Sequence, residues 1–186
     1  MHTEKTALEG VVIIEPDVFA DERGYFFEMA EEKRYQEILG VGVTFVQDNL
    51  SVSNKNVLRG LHYQVPPFAQ GKLVQVLRGK VLDVVLDVRF GSPTFGKHIT
   101  MELSDENHRQ LFIPVGFAHG FLAQTDSVIF SYKCTNFYSK EHERGILWND
   151  PALGIEWGID NPLVSDKDKV LPLLKDIAKE FVFKTN

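Results

Sequence analysis

The sequence predicts a mainly β chain, a jelly-roll β-barrel or sandwich with a few short peripheral helices. Three observations carry that expectation. Hydrophobic residues recur with a period of two over many short runs, Gly, Pro, Asn and Asp punctuate the gaps, and only two segments have helical spacing.

The first strands fall at Gly10–Ile14 and Tyr25–Met29. Glu31–Leu39 then breaks the pattern. Tyr35, Ile38 and Leu39 lie on one side of a helix that Gly40 stops. Strand spacing returns at Thr44–Ser51 and in the apolar run Val57–Gln64. Leu73–Arg78 and Val81–Arg89 are rich in β-branched and aliphatic residues, and Gly79-Lys80 between them reads as a tight hairpin. In the second of these runs Leu82, Val84, Leu86 and Val88 share one face. Val81, Asp83, Val85, Asp87 and Arg89 share the other, and acids mixed with valine suit a polar cavity wall. His98–Glu102, Arg109–Ile113, Gly120–Gln124 and Val128–Thr135 complete the strands. Leu173–Phe183 places Leu174, Ile177, Ala178 and Phe181 on one side, as a C-terminal helix laid over the barrel. No composition shift, repeat or low-complexity segment divides residues 1–186, so one domain is expected.

Composition narrows the function. The chain has 186 residues, 44% of them hydrophobic, enough for a core. A net charge of −6 excludes a sequence-independent nucleic-acid binder, which needs a basic face. Met1-His2-Thr3-Glu4-Lys5 lacks the basic-then-apolar pattern of a signal peptide, and Asp83 and Asp87 interrupt the greasiest stretch, so no membrane span is expected. The single cysteine, Cys134, excludes an intrachain disulfide and reads as a small buried hydrophobe. A reduced, cytoplasmic setting follows as the expectation.

Two apolar runs carry the chemistry. Val57-Leu58-Arg59-Gly60-Leu61-His62-Tyr63-Gln64 and Ile113-Pro114-Val115-Gly116-Phe117-Ala118-His119-Gly120 each contain one histidine. A histidine at the mouth of a barrel serves as a base at neutral pH, and Arg59 beside it can hold a phosphate. His119 follows a Pro-x-Gly turn, either at the barrel rim or bonding to hold that turn. Lys72 opens an apolar strand, either solvated or stabilising an oxyanion. Tyr132 and Tyr138 are either packing aromatics or, facing His62, a proton donor. A metal-binding barrel of this type carries a His-x-His pair. Here His62 is followed by Gln64, a poor ligand, so no catalytic metal is expected.

Many separated motifs resemble one family. They are Asp21-Glu22-Arg23-Gly24-Tyr25-Phe26-Phe27-Glu28, Gln47-Asp48-Asn49-Leu50-Ser51, Leu58-Arg59-Gly60-Leu61-His62 and Gln70-Gly71-Lys72-Leu73-Val74. Ser92-Pro93-Thr94-Phe95-Gly96, the run from Ile113 to Phe121, Tyr132-Lys133-Cys134-Thr135, Trp148-Asn149-Asp150-Pro151 and Ser165-Asp166-Lys167-Asp168 follow in order. With them the chain resembles the dTDP-4-dehydrorhamnose 3,5-epimerases, a metal-independent branch of the cupins. The resemblance implies a dTDP-4-keto-6-deoxy sugar substrate and no cofactor. It implies His62 as base, Tyr132 as acid and Lys72 on the enolate oxygen. Asp168 would be the carboxylate behind His62, with Asp83 as the alternative. Arg23, Glu28, Gln47, Asn49, Arg59, His119, Tyr138, Glu143 and Lys167 match ligand-contact positions. The resemblance also implies a homodimer with exchanged N-terminal strands, in which Arg23 and Glu28 serve the partner's site. Relatives that invert C3 alone keep the same His, Lys and Tyr. A non-catalytic sugar-nucleotide binder, a ketoisomerase and a metal-dependent cupin are the other readings.

Overall fold

The computed structural model describes residues 1–183. In chain order the strands and helix are β1 (His2–Lys5), β2 (Val12–Glu15), β3 (Phe19–Asp21), β4 (Gly24–Phe26), α1 (Glu32–Leu39), β5 (Gln47–Ser53), β6 (Val57–Gln64) and β7 (Lys72–Arg78). There follow β8 (Lys80–Asp87), β9 (His98–Ser104), β10 (Gln110–Ile113), β11 (Phe117–Ala123), β12 (Val128–Cys134), β13 (Glu143–Gly145) and β14 (Leu163–Val164).

Two sheets face each other. One runs β1-β2-β10-β7-β12-β5, the other β13-β6-β11-β8-β9, with β14 beside β6. The jelly-roll expectation holds, and the alternation of residues explains why. Val81 and Val85 of β8, Phe117 and Phe121 of β11, and Val74, Val76, Val128 and Phe130 from the opposite sheet fill the space between the sheets. Burying each such side chain contributes about 1.5–3 kcal/mol. The even-numbered residues of β8 pack outward instead. Val84 and Leu86 meet Ile146, Leu153 and Trp157 of the C-terminal segment. Both faces of β8 therefore bury apolar residues, and the inward face is interrupted by the buried acids Asp83 and Asp87.

Gly79-Lys80 is not a hairpin. β7 pairs with β10 and β12, whereas β8 pairs with β11 and β9, so the chain crosses between sheets at this point. Gly79 allows it with φ +79°, where an added Cβ would lie 2.4 Å from Thr125 Oγ1. The Thr125 hydroxyl instead accepts the Lys80 N–H at 3.0 Å.

The C-terminal helix over Leu173–Phe183 does not form. A single 3-10 turn at Leu174–Asp176 is followed by extended chain that bridges Phe90 through Val182. Leu174, Ile177 and Phe181 still reach the outer core, so the apolar spacing that mimics a helix serves a strap. Tertiary partners supply its backbone bonds. Leu174 donates to Asp150 Oδ2 at 2.7 Å, and Phe183 to the Phe90 carbonyl at 2.8 Å. So short a helix has little stability of its own to set against these. Arg89 clamps the far end, its guanidinium 4.3 Å from the Phe117 ring and 5.0 Å from Phe183, with Asp87 beneath it.

At the N-terminal side, α1 stands where expected. Glu31 caps it by accepting from the Lys33 and Arg34 N–H groups, and the helix ends at Gly40. Tyr35 seals it to the first sheet through a 2.6 Å bond to Gln110. The strands β1 and β3 have no counterpart in the sequence reading. Both are short and exposed along their length, so they carry no alternating pattern.

Candidate active site

β6 and β11 pair across the second sheet with His62 opposite His119, and then with Arg59 opposite Phe121. Two residues of β11 thus span three of β6. This is a β-bulge, and it sits at Gly60, whose φ is +123°. In a regular strand Arg59 and His62 would point to opposite faces. The bulge turns both into one cavity. Gly60 is also pressed against β11, where an added Cβ would meet Gly120 Cα at 2.6 Å and the His119 carbonyl at 2.8 Å.

The cavity has two lobes joined at His62, Lys72 and Tyr132. One, of about 360 Å³, is lined among others by Ser51, Arg59, His119, Phe121, Lys167 and Asp168. The other, of about 330 Å³, is lined among others by Gln47, Asn49, Gln70, Cys134, Tyr138 and Glu143.

Each histidine has its own carboxylate. His62 Nε2 lies 2.6 Å from Asp168 Oδ1, and His119 Nε2 lies 2.8 Å from Asp83 Oδ2. Asp83, the alternative partner of His62, therefore belongs to His119, and His119 does not hold a turn. Asp168 is buried at the start of the 3-10 turn Asp168–Val170. The Gly60 N–H reaches its second oxygen at 3.3 Å, and Ser165 Oγ accepts its N–H at 3.1 Å. Burial pushes the Asp168 carboxyl up, but the His62 ring, the Gly60 N–H and the Lys167 charge pull it below the usual carboxylate range. His62 thus faces the cavity with an anion behind it.

Lys72 and Tyr132 complete the junction of the lobes. Burial pushes the Lys72 ammonium below the ordinary lysine range, while Cys134, Asp83 and Glu143 act the other way. Burial also raises the Tyr132 phenol, as do Cys134 and Glu143, with Arg59 opposing. A raised phenol keeps its proton, and a desolvated ammonium is a strong partner for a negative oxygen.

The mouth is polar and linked. Tyr138 donates its hydroxyl to Glu143 at 2.9 Å, Lys167 meets the other Glu143 oxygen at 2.7 Å, and Gln47 accepts the Tyr138 N–H at 2.8 Å. Gln47 also donates to Asn49 at 3.0 Å. Burial raises the Glu143 carboxyl, but Lys167 and Tyr138 together hold it below its usual range. Arg59 is braced against Ser53 Oγ at 3.0 Å.

Two of the expected ligand contacts stand apart. Arg23 is exposed between β3 and β4, paired with Asp21, and Glu28 pairs with Arg34. Neither lines the cavity. Ser51, Phe121, Phe130 and Ser165 line it without having been singled out. Phe121 and Phe130 share strand parity with His119 and Tyr132, the signal that could have found them. Gln64 is occupied in holding the 137–139 backbone. It donates to the Phe137 carbonyl at 3.0 Å and accepts the Ser139 N–H at 2.6 Å. Among the described residues no group of three His, Cys, Asp or Glu could hold a metal ion, and no helix is long and apolar enough to cross a membrane.

The chain is similar to known proteins in sequence and fold. A family model described as dTDP-4-dehydrorhamnose 3,5-epimerase matches residues 5–176. The dTDP-4-dehydrorhamnose 3,5-epimerase of Shigella flexneri is 56% identical over 90% of this chain and 93% of its own. The structure of dTDP-6-deoxy-D-glucose-3,5-epimerase from Legionella pneumophila, in complex with dTDP-4-keto-L-rhamnose, superposes with a TM-score of 0.94 at 46% identity, covering 99% of this chain and 100% of that one. A 3'-monoepimerase from Streptomyces bikiniensis, in complex with dTDP-quinovose, is 35% identical with a TM-score of 0.86, covering 91% of this chain and 86% of that one.

Proposed function

The chain belongs to the dTDP-4-dehydrorhamnose 3,5-epimerase family, and from that premise we propose how its cavity inverts C3 and C5 of dTDP-4-dehydro-6-deoxy-D-glucose. The carrying observation is the 2.6 Å contact of His62 with the buried Asp168, in a cavity that also holds Lys72 and Tyr132.

The C4 ketone acidifies the hydrogens at C3 and C5. His62 removes one of them, and Asp168 supports the charge the ring gains. Electrons move to the C4 oxygen, where Lys72 stabilises the enolate. Tyr132 returns a proton to the opposite face of the carbon, exchange with water then takes the proton from His62 and restores that of Tyr132, and the process repeats at the second carbon. Arg59 and Lys167 are cations suited to the diphosphate. Gln47, Asn49, His119, Tyr138 and Glu143 contact the remaining ligand.

A homodimer accounts for Arg23 and Glu28, which would reach a second subunit's cavity from the N-terminal strands. Exposed Phe19, Tyr25 and Phe26 on β3 and β4 offer the apolar surface for that contact. The setting is cytoplasmic, and no metal takes part.

Proton NMR of the keto sugar in D₂O, coupled to an NADPH-dependent reductase, tests the reading. Deuterium at both C3 and C5, with dTDP-L-rhamnose formed, is expected. Deuterium at C3 alone would assign a single epimerase, and none at either carbon would remove the catalytic role for this substrate.

A further inference from the structure

Asp83 lies on the inward face of β8 with its side chain wholly buried. Oδ2 holds His119, and Oδ1 has no hydrogen-bond partner among the described residues. An unpaired carboxylate oxygen taken out of water costs stability. Packing does not call for a carboxylate here, because Val81 and Val85 on the same face are members of the apolar inter-sheet core. An apolar residue of similar volume would be the more stable choice. What Asp83 adds is its effect on two neighbours. It fixes the ring of His119, which stands across from His62 and lines the cavity. Its charge also supports the Lys72 ammonium against burial.

We propose that Asp83 is a positioning residue for the epimerisation. By holding the Nε2 proton of His119 it leaves Nδ1 for the cavity as an acceptor, which takes a hydrogen bond from a sugar hydroxyl and keeps the ring carbon against His62. The inference rests on the function proposed above. It makes the cavity a pair of histidine–carboxylate units side by side, one removing the proton and the other holding the sugar against it.

Asp83→Leu and Asp83→Asn separate this from a structural role. The leucine variant removes the unpaired oxygen, so its melting temperature should hold or rise and dTDP affinity should be kept. Its kcat should nevertheless fall roughly 10–100-fold, the usual effect of removing the outer partner of a functional histidine, with KM little changed. The asparagine variant keeps an acceptor for Nε2 and should lose less. Imidazole ¹⁵N shifts should show His119 fixed with its proton on Nε2 in the wild type and released in the leucine variant. Wild-type kcat in both variants, alongside an inactive His62→Ala, would overturn the inference and leave the epimerase reading standing. A fall in kcat matched by falls in melting temperature and dTDP affinity would also overturn it, as mere collapse of the wall. No exchange by the wild-type protein would instead bring down the functional reading on which the inference depends.

Discussion

His62 and His119 are cross-strand partners on β6 and β11, and their rings are tied to carboxylates from different parts of the chain. Asp168 approaches His62 from the C-terminal segment, 106 residues away, while Asp83 approaches His119 from the neighbouring strand β8. Two identical side chains in adjacent positions are thereby given separate environments.

That separation predicts that Asp168→Asn loses activity without losing the fold. The amide still fits but cannot balance a protonated His62. The expected result is a kcat lowered by about 10²–10⁴-fold, the range for general acid–base catalysis, with circular dichroism unchanged. His62→Ala should abolish exchange at both carbons. Near-wild-type deuterium incorporation by His62→Ala would show that another group is the base.

Tyr132→Phe should affect the return of the proton more than its removal. In D₂O the variant should consume substrate C–H bonds at a rate closer to wild type than its rate of product formation. Equal loss in both rates would remove Tyr132 from the acid role.

The lowered Lys72 ammonium sets an alkaline limit to activity. Lys72 must carry its proton to hold an enolate. With a folded value below that of free lysine, about 10.4, its charge is lost as pH rises through that lowered value. The kcat profile should fall on the alkaline side before an ordinary lysine would titrate. Lys72→Met should lose this limb and about 10²–10³-fold in kcat, the effect of removing one oxyanion donor.

Gly60→Ala should damage both stability and turnover. The new Cβ meets backbone atoms of β11 that cannot swing aside, and φ +123° disfavours any side chain. Overpacking of this kind costs about 1–3 kcal/mol, measurable as a lower midpoint in urea. Because the bulge also aims Arg59 and His62 and bonds Asp168, activity should fall further than stability alone accounts for.

Subunit mixing tests the assignment of Arg23 and Glu28. His62→Ala protein is expected to be inactive and Arg23→Ala protein weakly active. If Arg23 serves the partner's cavity, unfolding and refolding the two together should restore about a quarter of the sites, as random pairing of two chains dictates. No recovery would place Arg23 outside the site.

Much of this was legible in the sequence. Period-two spacing located most strands, and the parity of β8 marked Asp83 as inward-facing. Three features were illegible for physical reasons. The strap at Leu174–Phe181 has helical spacing because its apolar residues meet one curved surface, and the spacing does not reveal the backbone's partners. Gly79-Lys80 has hairpin chemistry, but which sheet each flanking strand joins is decided by partners far along the chain. The His119–Asp83 pair was hidden for the same reason. Both residues were noticed, and only the register of β8 against β11 joins them.

The distance along the chain between His62 and Asp168 fixes an order of events during synthesis. The strands that carry His62, Lys72, His119 and Tyr132 are complete once β12 has emerged, and by then both members of the His119 pair are present. The carboxylate behind His62 arrives later, on the segment that follows β14, the strand that pairs with β6. A nascent chain can thus close its barrel before it owns a working base, and competence to react is conferred by the docking of the tail.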